Sequence, residues 1–298
     1  MANKIIVIGS ANADLVIHSE RMPELGETLN GSNFQINAGG KGLNQAIAIS
    51  KLGGNVSFLG AVGNDANGKM LLDELHKNNV SFEGIKTENA PTGIAMITVV
   101  NGDNFIILNS GANDMLTADV IEQFSDMIKE SDFCVMQLEI PMETVLKVCE
   151  IAKDNNTKIV LNPAPFKKLP ESLFPHIDYL IPNEHEAFSL TGIYPDNEEN
   201  CKKTISRLKE LGTKNVVITL GERGCVYTKE ENILFCPALK TNVVDTTSAG
   251  DCFIGALVSK LSAGENMEKA IAFATKASAI AVSREGASKS IPFADELE

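Results

Sequence analysis

The sequence predicts an α/β fold in which a doubly wound, mostly parallel sheet has helices on both faces and a small second β-sheet attached. Short apolar runs rich in Val and Ile alternate with longer amphipathic segments, which is typical of βαβ units. Residues 92–108 break this alternation, because two apolar runs flank Asn-Gly-Asp-Asn. That pattern indicates a hairpin instead of a helical crossover.

Six short apolar runs are predicted to be strands of the main sheet. Each is only three to six residues long and consists largely of Val, Ile, Leu and aromatic residues, as expected for strands buried on both faces. The predicted strands are residues 5–8, 56–59, 133–138, 159–161, 179–181 and 216–220.

Amphipathic segments between and after these runs are predicted to be helices. The pattern is clearest in residues 142–155, where apolar residues recur at i, i+3, i+4 and i+7 and form one face; these are Val145, Val148, Cys149 and Ala152. The last two helices follow each other without an intervening strand. The predicted helices are residues 44–52, 68–77, 117–130, 142–155, 184–191, 200–211, 249–261 and 267–282.

The hairpin region and residues 14–36 are predicted to form the small second sheet, as an antiparallel lid that stands off the main one. The segment 94–100 is apolar on both sides, so both faces of the lid need covering. The sequence shows no low-complexity linker and no internal repeat. We therefore expect residues 1–298 to form one domain with this lid.

Composition limits the function. The chain has 298 residues, and its 39 acidic residues exceed its 26 basic residues by 13. A surface this acidic repels polyanions, which argues against nucleic-acid or anionic-membrane partners and favours a small molecule. The six cysteines include no CxxC pair and read as free thiols, and the histidines lack zinc-ligand spacing. Without a signal core or membrane span, the sequence predicts a cytoplasmic protein.

Polar residues follow several predicted strands. Asn12 and Asp14 follow the first, Glu139 follows the run ending at 138, and Asn183 and Glu186 follow the run ending at 181. A glycine turn, residues 221–224, follows the last strand. Each group alone is ordinary turn chemistry, but parallel strands place all of them at one edge of the sheet, where α/β folds bind ligands.

Two segments that open helices could bind anions. Residues 39–44, Gly-Gly-Lys-Gly-Leu-Asn, do not match a Walker A loop, and residues 9–14 do not match a dinucleotide-binding GxGxxG. Residues 245–251, Asp-Thr-Thr-Ser-Ala-Gly-Asp, are small and lead into a helix whose N-terminal amides can bind phosphate. Two interpretations of Asp251 are open. It lies beside a phosphoryl group that is transferred, or it only complements the helix dipole.

These two segments resemble the two signatures of the ribokinase family of carbohydrate kinases. The first match covers residues 39–46 and the second residues 245–251, with Ser248 where family members often carry Ala. Intermediate segments lie in family order: 9–14, 162–165, 182–186 and 286–292. The resemblance implies a ribokinase-like fold and ATP-dependent phosphorylation of D-ribose at O5, giving D-ribose 5-phosphate and ADP.

Alternatives remain open. The chain could be another sugar or nucleoside kinase of the family, such as a deoxyribokinase or fructokinase, or a non-catalytic sugar-binding protein. A dinucleotide-dependent oxidoreductase is disfavoured because the glycine fingerprint is missing.

The resemblance also implies residue roles. Asp251 would be the catalytic base, with Gly250 and Ala249 in the anion hole. The residues matching the ribose-binding set are Asn12, Asp14, Gly40, Lys41, Asn44, Glu139 and Asp251. The residues matching nucleotide-binding positions are Asn183, Thr219, Gly221, Gly224, Gly250 and Thr275.

By the same resemblance, the cofactors would be MgATP and a potassium ion. Glu186 would bind magnesium through water. Independently of the resemblance, the two apolar faces of residues 94–100 predict a homodimer formed through the lid, because one face would stay in water unless a partner buried it. The residues matching the monovalent-cation loops are Asp245, Thr247, Ala281, Arg284, Gly286 and Ser290.

Overall fold

The computed structural model describes residues 3–101 and 103–297, and over these ranges the chain forms thirteen strands and nine α-helices. The strands are β1 (Lys4–Ile8), β2 (Asn12–Ser19), β3 (Ser32–Gly39), β4 (Asn55–Gly63), β5 (Ser81–Thr87), β6 (Gly93–Val100), β7 (Asp103–Asn109), β8 (Phe133–Met136), β9 (Lys158–Leu161), β10 (Tyr179–Leu180), β11 (Asn215–Thr219), β12 (Cys225–Lys229) and β13 (Asn232–Cys236). The helices are α1 (Lys41–Lys51), α2 (Ala66–Lys77), α3 (Ala118–Gln123), α4 (Ser125–Lys129), α5 (Met142–Lys153), α6 (Glu184–Thr191), α7 (Glu198–Glu210), α8 (Ala249–Ser262) and α9 (Met267–Ala281).

The main sheet has nine strands in the order β13-β12-β11-β10-β9-β8-β1-β4-β5. All neighbours pair in parallel except β11 with β12 and β12 with β13. The sheet is therefore mostly parallel, as predicted, and its parallel strands end at one common edge.

Helices cover both faces of this sheet. Alternate residues of β1 point to opposite sides: Ile5 and Val7 join a core with α1, α2, α8 and α9, whereas Ile6 and Ile8 join a core with α3 to α7. Both cores consist mainly of buried aliphatic side chains, and this burial fixes the register of each strand. Among the described helices, none combines the length and apolar content needed to cross a lipid bilayer.

The second sheet has the order β3-β2-β6-β7. The predicted hairpin is β6–β7, although residue 102 in its turn lies outside the described residues. The prediction of a wholly antiparallel sheet is wrong, because β2 pairs with β6 in parallel. These two strands belong to different parts of the chain, separated by β3, α1, β4, α2 and β5, so no tight turn forces them to run antiparallel.

All six predicted strands are present, but β5, β12 and β13 were not predicted. Strand β5 lies at the edge of the sheet, and most of its residues are only half-buried. Its sequence, Ser-Phe-Glu-Gly-Ile-Lys-Thr, therefore lacks the continuous apolar run that predicts the other strands. The predicted helix over 117–130 is two helices, which meet at Phe124. The other helices differ from prediction only at their ends; α1 begins at 41, not 44.

Candidate functional site

The first part of the site forms where the chain leaves β1 and enters the second sheet. Asn12 and Asp14, predicted to lie in a loop after the first strand, belong to β2. Gly40, between β3 and α1, has φ of 91°, and a Cβ there would lie 2.8 Å from Asn12 N. Only glycine fits this positive φ without strain, so Gly40 allows the start of α1 to pack against the 9–12 segment.

Glu139 joins three elements at this point. Its Oε2 accepts hydrogen bonds from Ser10 Oγ (2.5 Å), from Asn12 Nδ2 (3.4 Å) and from the Lys41 backbone amide (3.2 Å). Asn12 is in turn held by Asn113, whose Nδ2 donates to Asn12 Oδ1 at 2.8 Å. The structure therefore brings Asn12, Lys41 and Glu139 together, although they lie far apart in sequence.

Asp251 lies in the first turn of α8, buried to 7% exposure, and faces α1. Its Oδ1 accepts a hydrogen bond from Gln45 Nε2 (2.9 Å), and its Oδ2 lies 3.4 Å from Asn44 Nδ2. Asn44 also donates to Ser248 Oγ at 3.0 Å, whereas its Oδ1 is buried without a hydrogen-bond partner. A buried acceptor left unpaired is costly, so a ligand with a hydroxyl donor would satisfy it.

Acidic groups converge around Lys41. Burial, together with the charges of Glu139 and Asp251, raises the pKa of Asp14 to about 7. Burial also raises the pKa of Asp251, against the opposing effects of Lys41 and the Gln45 hydrogen bond. Burial alone would lower the pKa of Lys41, but Asp251, Glu139 and Glu186 outweigh it and raise that pKa. The site therefore holds a protonated Lys41 near Asp14 and Asp251, two carboxyl groups whose pKa values are raised.

The N-terminus of α8 supplies a place for an anion. A Cβ added to Gly250 would meet nothing within 4 Å, so this helix end opens into free space. The positive end of the helix dipole, with the amides of its first turn, favours phosphate oxygens there. The Ala249 amide already donates to Thr246 O at 3.2 Å, which leaves Gly250 as the better placed of the two predicted donors.

The predicted nucleotide residues lie across neighbouring elements. Asn183 caps α6 and bridges in parallel to Thr219, while Gly221 and Gly224 both have positive φ in the turn after β11. Gly224 packs against the Cys236 carbonyl, and Thr275 Oγ1 on α9 lies 3.6 Å from Cys236 Sγ. The structure therefore links Gly224 and Thr275 through the end of β13.

Glu186 is engaged by its own helix. Both of its carboxylate oxygens accept hydrogen bonds from Asn183, one from the backbone amide and one from the side chain, each at 2.9 Å. Among the described residues no group of three or more His, Cys, Asp or Glu could hold a metal ion. A magnesium ion here would need most of its ligands from nucleotide phosphates and water, which suits its preference for retaining water.

The predicted cation loops meet through Asp245. Its Oδ1 accepts from the Thr247 amide (2.8 Å) and its Oδ2 from the Gly286 amide (2.9 Å). Partial burial would raise the pKa of Asp245, but these hydrogen bonds outweigh it and lower that pKa. The Arg284 guanidinium pairs with Glu296, and Ser290 Oγ donates to Ala287 O at 2.8 Å. The Ala281 carbonyl accepts from the Arg284 amide at 3.1 Å.

The family model described as pfkB family carbohydrate kinase matches residues 2–294. The chain belongs to the pfkB family of carbohydrate kinases. It is 39% identical over 301 residues to a protein of Staphylococcus aureus strain COL named ribokinase, covering 100% of this chain and 99% of that one. It is 34% identical to a Salmonella typhi protein named deoxyribokinase, and the match covers 98% of this chain and 97% of that one.

Solved structures give the same result for the fold of this pfkB kinase. The structure of Arabidopsis thaliana ribokinase complexed with ribose and ATP matches with a TM-score of 0.94 and 31% identity, over 100% of this chain and 98% of the other. The predicted α/β class, with a mostly parallel sheet, helices and a small second sheet, is thus confirmed.

Sequence reasoning missed several polar residues of this pfkB site. Ser10 and Asn113 hold Glu139 and Asn12, and both are almost fully buried. Ser10 lies within the 9–14 segment that carries part of the resemblance, but Asn113 follows β7 a hundred residues later, in the 3-10 helix Gly111–Met115. The pairing of β2 with β6, and of β6 with β7, brings that helix to the site.

Proposed function

We propose that this pfkB-family kinase transfers the γ-phosphoryl group of ATP to O5 of D-ribose, giving D-ribose 5-phosphate and ADP. The observation that carries the proposal is the buried group of carboxylates and amides around Lys41, set directly beside the open N-terminus of α8. Full-length similarity to proteins named ribokinase, including one solved with ribose and ATP, supports the same substrates.

A small polyol fits the polar groups on the sugar side. Asp14 and Glu139 can accept hydrogen bonds from hydroxyls, while Lys41 and Asn12 can donate to them. The unpaired Asn44 Oδ1 supplies a further acceptor inside the site. Vicinal hydroxyls, each both donor and acceptor, can satisfy such a mixed set.

The chain's own residues can perform the transfer. Asp251 accepts the proton of the ribose O5 hydroxyl, O5 forms a bond to the γ-phosphorus, and the bond to the β,γ-bridging oxygen breaks so that its electron pair leaves with ADP. The amide of Gly250, at the positive end of α8, stabilises the charge on the transferred group. In phosphoryl transfer, such positioning and charge stabilisation provide most of the rate enhancement.

Magnesium, when bound to the phosphates, would neutralise part of their charge. We assign Glu186 to this ion through a water molecule, since hydrogen bonds from Asn183 already engage both of its carboxylate oxygens. Asn183, Thr219, Gly221, Gly224 and Thr275 form our proposed nucleotide side of the site.

We assign a potassium ion to the loops joined by Asp245. Since the side chains of Arg284 and Ser290 are engaged elsewhere, backbone oxygens would supply most of the ligands, with Asp245 giving one negative charge. Oxygen-only ligation of low charge suits a weakly hydrated monovalent ion. Bound there, the ion would hold the loop that leads into α8.

We also propose that the second sheet is a lid on a single kinase domain and that two copies associate through it. The ribose-side residues Asn12 and Asp14 lie on β2, at the base of this sheet. Edge strand β7 is exposed along its whole length, with Ile106 at 54% and Ile107 at 73%. An apolar edge strand open to water is an aggregation hazard unless a partner covers it.

We place the enzyme in the cytoplasm. All six cysteines are free, and five of them are buried, which suits a reducing compartment. Cell fractionation followed by detection of the protein tests this assignment.

An acceptor panel tests the proposed activity. Purified protein with MgATP is given ribose, 2-deoxyribose, fructose or adenosine, and ADP release is followed with Asp251→Asn as the background control. Ribose should give the highest kcat/KM. A higher kcat/KM with 2-deoxyribose would favour the deoxyribokinase alternative, and no acceptor-dependent ADP release would favour a non-catalytic sugar-binding protein.

A further inference from the structure

A buried chain of side-chain amides leads from the main sheet to the Asp251 carboxylate. Gln137, just after β8, donates from Nε2 to Gln45 Oε1 at 2.7 Å, and Gln45 on α1 donates to Asp251 Oδ1 at 2.9 Å. Asn162, just after β9, accepts from Gln45 Nε2 at 3.3 Å. Gln45 and Gln137 are 0% exposed and Asn162 is 7% exposed.

The partners of Gln45 fix which way its amide points. Its oxygen accepts from Gln137, so its NH2 group faces Asp251 and Asn162. Asn162 is fixed in turn, because its Nδ2 donates to Ile181 O at 2.9 Å and leaves its oxygen toward Gln45. If the Gln45 amide were flipped, its oxygen would face two other acceptor oxygens, those of Asp251 and Asn162. Its NH2 group would then face the NH2 group of Gln137.

Packing alone does not account for an amide at position 137. Gln137 Oε1 is buried without a partner, and a Cβ on Gly9 would lie only 2.2 Å from it. An unpaired buried acceptor costs free energy, and an apolar side chain of similar size would avoid that cost. What an apolar residue could not do is donate the hydrogen bond that orients Gln45.

We propose that Gln45, oriented by Gln137 and Asn162, is a positioning residue that holds Asp251 Oδ1 and keeps Oδ2 directed at the acceptor hydroxyl. The inference rests on the proposed function of Asp251 as the base. A carboxylate held at one oxygen cannot rotate freely, and small errors in the placement of a reacting group are costly in rate.

The effect of Gln45 can be separated from that of the charges around Asp251. Replacing Gln45 with Met removes the hydrogen bond while keeping length and net charge, so the surrounding charges stay in place. The titratable groups facing Asp251 are Lys41 on α1, Glu139 after β8, Asp14 on β2, Glu186 on α6 and the adjacent thiol of Cys252.

The test compares Gln45→Met, Gln137→Met and the double variant in single-turnover phosphorylation of ribose from pH 5.5 to 8.5. Gln45→Met should lower the plateau rate at least about tenfold and move the acidic limb about one unit to higher pH, because the ionised base loses a charge-assisted hydrogen bond. The KM for ribose should change less than about threefold. Gln137→Met should have a smaller effect that vanishes in the Gln45→Met background, since it acts through Gln45.

A second measurement needs no substrate. The Asp251 carboxyl signal, followed by 13C NMR with labelled aspartate and assigned by its loss in Asp251→Asn, should titrate at higher pH in Gln45→Met. If wild type fails to phosphorylate ribose, the proposed function fails while this measurement still tests the positioning role. Should Gln45→Met not fold, Gln137→Met carries the same test, because it removes the hydrogen bond that orients Gln45 and keeps the Gln45 amide itself.

The matched control is Thr204→Val, which removes the hydroxyl of a buried threonine on α7 and its hydrogen bonds to Asn200 O (2.8 Å) and Ile193 O (3.2 Å). It should lower stability without altering the rate or the Asp251 midpoint. An unchanged pH limb and rate in Gln45→Met, or fully additive effects of the two Gln variants, would overturn the inference.

Discussion

At the scale of single residues, burial raises the proton affinity of two carboxyl groups near Lys41, those of Asp14 and Asp251. Asp14 shows this most directly, since burial and the charges of Glu139 and Asp251 raise its pKa to about 7. A carboxylate binds sugar hydroxyls best when ionised. In the ribose site that we propose, ribose would therefore compete with a proton for Asp14 below pH 7.

We predict that ribose binds more tightly as pH rises toward 7. The dissociation constant without nucleotide should fall by up to about tenfold per pH unit below 7 and level off above it, as for one linked proton. Calorimetric titrations at pH 6 and pH 8 measure this, with Asp14→Asn as the control that should bind weakly and without pH dependence. Equal affinity at both pH values would contradict the role of Asp14.

Asp251→Asn should separate catalysis from folding. The amide keeps the shape but cannot accept the proton, so kcat should fall by about two to four powers of ten, while ribose affinity changes little. Because burial raises the pKa of Asp251, its ionised form is disfavoured in the folded state, and the variant should be at least as stable as wild type at pH 8. Stopped-time assays measure the loss of kcat, and thermal unfolding measures the stability. Near-normal turnover in the variant would show that Asp251 is not the base.

At the scale of elements, two glycines of α8 lie in opposite surroundings. A Cβ at Gly250 would meet open space, whereas at Gly255 it would lie 2.3 Å from Ala48 Cβ and 3.0 Å from the backbone of α1. We predict that Gly250→Ala keeps the unfolding temperature but loses about a hundredfold in kcat, because the methyl group occupies the space of the phosphoryl oxygens. Gly255→Ala, the matched variant, should lower the unfolding temperature; unimpaired turnover in Gly250→Ala would place the anion elsewhere.

The two loops joined by Asp245 should make turnover depend on a monovalent cation. At matched ionic strength, potassium chloride should give several-fold faster turnover than tetramethylammonium chloride, because the ion that we propose would hold the loop leading into α8. Asp245→Ala should lose this difference. Identical rates in potassium, sodium and tetramethylammonium salts would exclude the ion from the reaction.

The elements also show what a sequence can predict. Strands such as β1 and β8 were found because burial on both faces leaves a continuous apolar run, and α6 was found at its full length. By contrast, β5 lacks such a run, and the parallel pairing of β2 with β6 depends on elements distant in sequence. The positions of Asp251 and Glu139 followed from local motifs, but Asn113 and Gln137 reach the site only through tertiary packing.

At the scale of the whole molecule, the exposed edge of the second sheet predicts a homodimer. Phe105, Ile106, Ile107 and Leu108 on β7 are each at least 45% exposed, and burying such apolar area gains roughly 25 cal/mol per Å². Light scattering at micromolar concentration should give twice the chain mass for wild type and one chain for Ile107→Glu. The control is Leu146→Glu on α5, which likewise replaces an exposed aliphatic side chain and should leave the protein dimeric. A single-chain mass for the wild type would refute the dimer.

The product of the reaction tests the central claim most directly. Wild-type protein, D-ribose and MgATP are incubated together, and the position of the phosphate on the sugar is read from phosphorus–proton couplings by 31P NMR. Our account predicts a single new phosphomonoester on O5, formed with one ADP per sugar and absent with Asp251→Asn. Phosphate on any other oxygen, or ADP formed without a sugar phosphate, would contradict it.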